Sequence, residues 1–113
     1  GMSRDHQLHG GKADTDPKTI IRLADAGDAI ALQTVERYLT RFGRAVATVI
    51  NILDPHAVVL GGGMSNIDLL YTRGRDMIEP HIFSDFFSTP ILRNQHGDSS
   101  GVLGAAQLWQ AGE

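Results

Sequence analysis

Residues Leu53–Asn66 read LDPHAVVLGGGMSN and join a short apolar run to three consecutive glycines. The run Ala57–Leu60 is rich in valine and continuous rather than alternating, which is typical of a strand covered on both faces in a parallel sheet. Ser65 and Asn66 follow the glycines, and either of them can cap the start of a helix. The stretch therefore predicts a strand, a glycine turn and a helix start, an arrangement in which backbone N–H groups can approach a ligand closely.

The longest predicted element is a helix over Ala29–Leu53, capped by Asp28 and ended by Pro55, which moves Asp54 out of the helical region. At 1.5 Å per residue this helix spans about 37 Å, which is longer than the core of so small a domain. Part of its apolar stripe is therefore expected to face another subunit or another part of the same protein. A two-stranded coiled coil is the alternative, although Ile50 and several alanines widen the stripe and favour a sheet or a broad partner. The stripe recurs at intervals of three and four residues, at Leu32, Val35, Leu39, Phe42, Val46, Val49 and Leu53.

Shorter elements are predicted on either side of this helix. Asp16 as a cap and Pro17 in the first turn indicate a helix that ends at Ala26. The stretch 81–89 is expected to be a short irregular or helical piece whose apolar side chains plug the sheet edge. Its apolar side chains are Ile82, Phe83, Phe86 and Phe87. The other predicted elements are a short helix or frayed polar tail over 3–11, a helix over Asn66–Glu79, a second strand over Pro90–Gln95 and a last helix over Gly101–Gln110.

Length and composition limit the classes of protein that fit. The chain has 113 residues, enough for one domain at most, with a tag scar and an N-terminal helix or tail over 1–12 and the main segment over 13–113. A net charge of −3 offers no broad basic surface for nucleic acid. The absence of cysteine excludes a disulfide framework, a thiolate nucleophile and a cysteine-ligated zinc within these residues. No apolar run has the length of a membrane span, so we expect a cytoplasmic chain with no membrane partner.

A second stretch, Ile91–Gly101, repeats the order of strand, glycine-containing turn and helix. If the two strands are parallel, both turns lie at the carboxyl edge of the sheet, where ligands bind in open α/β sheets. Alternatives stay open at each turn, because the glycine triplet can be a simple tight turn, and Asp98 can cap the last helix or touch a ribose or a metal. No Gly-Lys-Ser/Thr phosphate loop follows, and the G-x-G-x-x-G spacing fails at Asn66.

The sequence assigns no catalytic residue and no metal ligand. His6 and His9 stand three residues apart, but an exposed polar tail makes them incidental rather than a metal site. Asp54 is most simply a helix-ending residue, and neither it nor Asp98 shows a partner that would make it a general base. The other histidines, His56, His81 and His96, are not linked by spacing.

Two runs carry a family resemblance: NILDPHAVVLGGGMSN, from Asn51, and HGDSSGVLGAAQLW, from His96. Together they resemble the C-terminal part of ROK-family sugar kinases of the bacterial fructokinase and N-acetylglucosamine kinase type. The resemblance covers about Ala13–Trp109 and implies an α/β, actin/hexokinase-like (ribonuclease H-like) fold, with the long helix packed on a small, mostly parallel sheet. It further implies an adenosine nucleotide as partner, which is ATP with Mg²⁺ in the complete enzyme. The nucleotide-binding residues assigned with it are Gly61, Gly62, Gly63, Met64, Asn66, Gly97 and Asp98.

Three hypotheses follow from the resemblance. The family's N-terminal lobe, its phosphate loops, its catalytic Asp and its zinc motif have no counterpart among these residues. The first hypothesis is therefore the nucleotide-binding C-terminal segment of a kinase for fructose, glucose or N-acetylglucosamine, inactive when alone. The second is the effector domain of a sugar-responsive transcriptional repressor of the same family, and the third is a non-catalytic dimerisation fragment. A homo-oligomer is expected in each case, because a lone lobe leaves apolar surface uncovered.

Overall fold

The computed structural model describes residues 1–94, so the predicted strand end at Gln95, the second turn with Gly97 and Asp98, and the last helix lie outside the described residues. The chain divides into two compact units, Gly1–Leu39 and Thr40–Glu113. The described elements are α1 (Met2–Leu8), α2 (Pro17–Asp25), α3 (Ala29–Leu53), β1 (Val58–Leu60), α4 (Arg73–Ile78) and β2 (Ile91–Arg93), with 3-10 helices at Gly62–Asn66, Asp68–Tyr71 and Glu79–His81.

Helices α2 and α3 begin at the two predicted aspartate caps. The Asp16 carboxylate accepts a hydrogen bond from the Thr19 backbone N–H at 2.9 Å, and this bonding lowers the pKa of Asp16. The Asp28 carboxylate accepts one from the Ala31 backbone N–H at 2.8 Å. Each cap satisfies one of the donors that a helix leaves unpaired at its start, so local sequence decides where these helices begin.

The first unit has a buried polar cluster that joins α1 to the start of α3. The His6 ring, which is 2% exposed, places Nδ1 3.1 Å from the Thr34 hydroxyl. That hydroxyl donates to the Ile30 carbonyl, so the His6 Nδ1–H is the donor and Thr34 the acceptor. Beside it, Arg37 Nε donates to the buried Asp5 carboxylate at 2.8 Å. The predicted short helix is confirmed, but the interpretation of His6 as part of an exposed polar tail is wrong.

Helix α3 has the predicted bounds, and the middle of its stripe is buried while its ends are not. Within the first unit Val35 and Leu39 are buried, whereas Leu32 is 43% exposed. Within the second unit Phe42 and Val46 are buried, whereas Leu53 is 68% exposed. The helix ends at Leu53, because Asp54, with a φ of 45°, takes the chain out of the helix immediately before Pro55.

In the second unit α4 crosses α3 at two glycines. A Cβ added to Gly43 would lie 2.6 Å from the carbonyl carbon of Met77 on α4, and one added to Gly74 would lie 3.0 Å from the ring of Phe42. Both glycines are buried. The glycine inside α3, which costs helix propensity, therefore allows the two helices to pack closely.

Strands β1 and β2 form the predicted parallel pair, with Val58 opposite Ile91 and Leu60 opposite Arg93. Val58 and Leu60 are buried and Val59 is half-buried, so β1 is covered on both faces to different degrees. Each strand is three residues long, shorter than the predicted His56–Leu60 and Pro90–Gln95. The carboxyl ends of the two strands lie at one edge, next to the glycine turn.

The helix predicted over Asn66–Glu79 is wrong in its first half. The chain instead forms two 3-10 turns, separated by an extended Ile67, before α4 begins at Arg73. Met64, Ile67 and Leu70 are buried at intervals of three, which matches the three-residue period of a 3-10 helix rather than the 3.6-residue period of an α-helix.

The segment after α4 is irregular, as predicted, but it does not plug the sheet edge with all of its aromatic side chains. Phe83 and Phe86 are 89% and 76% exposed. Phe87 is half-buried beneath the Arg75 guanidinium, which lies 4.4 Å from the ring centroid. Backbone bonding to Asn51 holds this segment near α3, since the Asn51 amide accepts from Phe83 N–H and donates to the His81 carbonyl.

Candidate functional site

The glycine turn, residues Gly61–Asn66, begins directly after β1. Gly61 is buried and extended, with φ of −116° and ψ of 173°. Gly62 has φ of 60°, a left-handed conformation that glycine adopts without strain. Gly62 and Gly63 are exposed, and apart from the adjoining residues of the chain no heavy atom of the described residues lies within 4 Å of a Cβ placed on either one. The turn thus presents bare backbone on its outer side.

The other two predicted site residues of the turn face in different directions. Met64 is 4% exposed, so its side chain anchors the turn in the core, whereas Asn66 is exposed. Ser65 caps no α-helix, because its hydroxyl donates to the Gly62 carbonyl at 2.7 Å and closes the turn on itself. The expectation that Ser65 or Asn66 starts an α-helix behind the glycines is therefore wrong, and within residues 1–94 the turn is followed by 3-10 helices rather than by an α-helix whose dipole would add positive charge.

The neighbouring strand brings Arg93 to the same edge, a residue that sequence reasoning missed. Arg93 Nη2 donates to the Asp68 carboxylate at 2.6 Å, and this hydrogen bond raises the pKa of Arg93. Its guanidinium lies 4.7 Å from the centroid of the Tyr71 ring. The Tyr71 hydroxyl in turn donates to the Ser65 carbonyl at 2.9 Å. The signal that could have pointed to Arg93 in the sequence is its position as a basic residue near the carboxyl end of the second predicted strand.

Burial shifts the chemistry of Tyr71. Loss of solvent around the hydroxyl raises the pKa of Tyr71, with Arg93 acting in the opposite direction. The phenol is therefore kept neutral and remains a hydrogen-bond donor to the turn. The described part of the site consists of bare glycine backbone, one exposed amide and an arginine held between a ring and a carboxylate.

Other candidate sites are separate from this edge. Within residues 1–94 no group of three or more His, Cys, Asp or Glu side chains is arranged to hold a metal ion. His9, just after α1, bonds the Asp5 carbonyl through Nδ1 at 2.8 Å, so His6 and His9 both have partners inside the first unit. A surface groove of about 290 Å³ in the second unit contains none of the predicted nucleotide-binding residues. Its lining is Arg44, Ala47, Thr48, Asn51, His81 and Phe83.

Among the described helices, none combines the length and the apolar character that crossing a membrane would need.

Comparisons with known proteins agree on one family. The ROK family model matches residues 1–112. An N-acetyl-D-glucosamine kinase from Photobacterium profundum is 42% identical over 89 residues, which are 79% of this chain and 29% of that protein. The N-acetyl-D-glucosamine kinase of Vibrio cholerae is 39% identical over 89 residues, which are 79% of this chain and 30% of that protein. The chain therefore spans about 30% of the length of the curated relatives it matches.

A solved structure matches the fold. It is the crystal structure of a ROK family glucokinase from Streptomyces griseus in complex with glucose and AMPPNP. The TM-score is 0.58 and the sequence identity 24%, over 97% of this chain and 37% of that chain.

Proposed function

The chain belongs to the ROK family, and from this premise we propose that it is the adenosine-nucleotide-binding C-terminal segment of an ATP-dependent sugar kinase. The predicted family resemblance is confirmed, and so is the predicted helix-rich α/β fold of the actin/hexokinase-like class, through the match to the ROK glucokinase. We propose N-acetylglucosamine or glucose as the sugar of the complete enzyme, because the similar proteins are named for these two sugars.

The observation that supports the nucleotide site best is the pair of exposed glycines Gly62 and Gly63. A glycine in a fold usually has a local reason, either a positive φ or a close neighbour. Gly62 has the positive φ, but Gly63 has neither, since its φ lies outside the positive range and, among residues 1–94, none beyond its chain neighbours lies close to it. Backbone that stays bare at the carboxyl edge of parallel strands suits the close approach of a nucleotide.

Each predicted residue then has a distinct role in the proposal. The backbone of Gly61, Gly62 and Gly63 forms a wall for the adenosine, with Met64 fixing that wall from the core side. The exposed Asn66 amide offers both a donor and an acceptor to the base or ribose. Gly97 and Asp98, outside the described residues, are proposed to form the facing wall.

Chemistry is not proposed for this segment alone. Phosphoryl transfer needs a positioned hydroxyl, a base and a clamp of positive charge on the phosphates. The described residues do not fit a Mg²⁺ site, because one oxygen of the Asp68 carboxylate beside the turn is already bonded to Arg93. We propose that Mg²⁺ accompanies the ATP phosphates in the complete enzyme and that this chain alone does not phosphorylate sugars.

Calorimetric titration with ATP tests the site. The wild-type chain should bind, and Gly63→Val should abolish binding because the new side chain projects into the space that the nucleotide needs. Its thermal melting should stay near that of wild type, since the described residues leave that space open. Ser88→Val, at an exposed position of the irregular segment, is the matched control and should bind as wild type does. A flat titration for wild type, or equal affinity for Gly63→Val, would count against the proposal.

Two further measurements test the remaining parts. A coupled kinase assay with N-acetylglucosamine, glucose and fructose should show no turnover above background, and clear turnover would refute the proposed inactivity. Light scattering should report a homo-oligomer, which we propose because the second unit exposes Ile52, Leu53, Phe83 and Phe86. A strictly monomeric mass would refute that part without affecting the nucleotide site.

A further inference from the structure

The side chains of the glycine turn hold only part of its shape. Gly62 and Gly63 contribute none, and a backbone with so much freedom costs more conformational entropy to order than any other. Two contacts within the turn oppose this freedom: the buried Met64 side chain and the Ser65 hydroxyl bonded to the Gly62 carbonyl. The outer end of the turn needs support from elsewhere in the chain.

That support comes from the next strand in the sheet. Arg93 ends β2 opposite Leu60, the last residue before the glycines. Its guanidinium covers the Tyr71 ring, and the Tyr71 hydroxyl reaches back to the Ser65 carbonyl. Asp68 fixes the guanidinium at its edge with a 2.6 Å bond. Asp68, Tyr71 and Arg93 therefore form a continuous connection, the Arg93 strut, from the sheet to the glycine turn.

We infer that the Arg93 strut fixes the shape of the glycine turn and thereby sets its affinity for adenosine nucleotide. Arg93 is a positioning residue here and acts through Tyr71. The part about affinity rests on the proposed function. The part about turn order does not, because it concerns the protein without ligand.

The geometry of the strut explains why arginine suits position 93 and tyrosine suits position 71. A guanidinium is planar, so it can stack on a ring and still donate in its plane to a carboxylate, whereas a lysine ammonium can contact both groups but cannot stack. A tyrosine is needed rather than a phenylalanine, because the bond to the Ser65 carbonyl uses the hydroxyl. Burial that raises the pKa of Tyr71 keeps this hydroxyl protonated, so the bond to the turn persists.

The same chain offers a matched control at the other end of β2. Arg75 lies over Phe87 at 4.4 Å and donates to the Thr89 carbonyl at 2.7 Å. Like Arg93, Arg75 lies over an aromatic ring and donates a hydrogen bond, but it donates to a main-chain carbonyl and contacts the amino end of the strand rather than the carboxyl end. Loss of Arg75 should therefore affect the strand without loosening the glycine turn.

Amide hydrogen exchange by NMR, without nucleotide, tests whether the strut orders the turn. Tyr71→Phe and Arg93→Ala should each speed exchange of the amides in residues 62–67 by about fivefold, the loss of one ordinary hydrogen bond. The double variant should be no faster than the worse single variant, because both changes break one connection. Arg93→Lys should retain part of the protection, and Arg75→Ala should leave these amides at the wild-type rate. Unchanged exchange in Tyr71→Phe and Arg93→Ala would overturn the strut.

ATP titration of the same variants tests the coupling to affinity. Tyr71→Phe and Arg93→Ala should weaken the Kd by about fivefold, while Arg75→Ala should bind as wild type does. Faster exchange with unchanged Kd would overturn the positioning role while leaving the proposed function standing. A wild-type chain that does not bind ATP would overturn both the proposed function and the inferred effect of the strut on affinity. The exchange rates would still show whether the strut orders the glycine turn.

Discussion

Replacing Gly43 by alanine tests the close crossing of α3 and α4. The added Cβ would lie 2.6 Å from the Met77 carbonyl carbon and 2.8 Å from the Met77 Cβ. One is a main-chain atom of α4 and the other is a Cβ, which is fixed to the main chain, so neither can rotate away. Relief requires α4 to move as a unit from the buried face that it shares with α3.

Two opposing terms set the size of the effect. Alanine favours a helix interior over glycine by about 1 kcal/mol. Overpacking of a filled core costs about 1–3 kcal/mol, and a clash with main chain belongs at or above the upper end of that range. The expected net loss of unfolding free energy is about 2 kcal/mol, which lowers the Tm by roughly 8–12 °C for a chain of this size.

Urea unfolding followed by circular dichroism measures this loss, with two other glycines as references. Gly63→Ala, where the space is open, should change stability by less than about 0.5 kcal/mol. Gly74→Ala should fall between the two, because its Cβ would meet the edge of the Phe42 ring at 3.0 Å, and a ring can shift. A Gly43→Ala protein as stable as wild type, or more stable, would refute the close crossing, since helix propensity would then dominate.

Three further predictions concern polar contacts. Thr34→Val should lose about 1–3 kcal/mol in urea unfolding, because it leaves the buried His6 ring without its acceptor, while Thr34→Ser should stay near wild type. The lowered pKa of Asp16 means that its stabilisation is complete above the ordinary value of 3.8 and is lost as the pH falls through the folded pKa. Unfolding followed by circular dichroism in acid should therefore show this loss of unfolding free energy in wild type but not in Asp16→Asn. The raised pKa of Tyr71 means that its stabilisation is complete below pH 10 and is lost as the pH rises through the folded pKa. Ultraviolet difference titration of wild type against Tyr71→Phe should show that the Tyr71 phenol ionises above pH 10, and ionisation at or below pH 10 would contradict the prediction.

Much of the fold was predictable because its signals are local. Helix α3 has the predicted bounds, since Asp28 caps its start and Asp54 before Pro55 ends it. The parallel pairing of β1 and β2 followed from a continuous apolar run and a helical connection between strands. The helix caps and the apolar run behind these predictions are each local signals, although the two paired strands lie far apart in the sequence.

The errors lie where a local pattern fits two structures. Ile67 and Leu70 were assigned to an α-helix, yet their interval of three, which continues back to the buried Met64, is the period of the 3-10 helices that the chain forms. The Ser65 hydroxyl and the Tyr71 hydroxyl bond to nearby carbonyls, and such side-chain bonds compete with the helical ladder. The spacing of apolar residues in the sequence does not show this competition.

Arg93 was missed for a different reason. Its role depends on a ring and a carboxylate that are more than 20 residues away along the chain, Tyr71 and Asp68. Only the register of the parallel pair, with Arg93 opposite Leu60, brings them to one edge. A residue whose partners are fixed by strand register cannot be recognised before the register is known.

The glycines of the second unit separate what the fold requires from what a ligand would require. Gly43 and Gly74 are explained by the helix crossing, and Gly62 by its positive φ. Gly63 is exposed, has no close neighbour among the described residues outside its own stretch of chain and has no conformational need for glycine, so the described fold gives no reason for its bare backbone. A side chain at Gly63 should therefore leave stability unchanged and remove nucleotide binding. A side chain at Gly43 should lower stability and leave nucleotide binding unchanged under conditions in which the protein is still folded. The two variants measured side by side thus assign one glycine to folding and the other to the ligand.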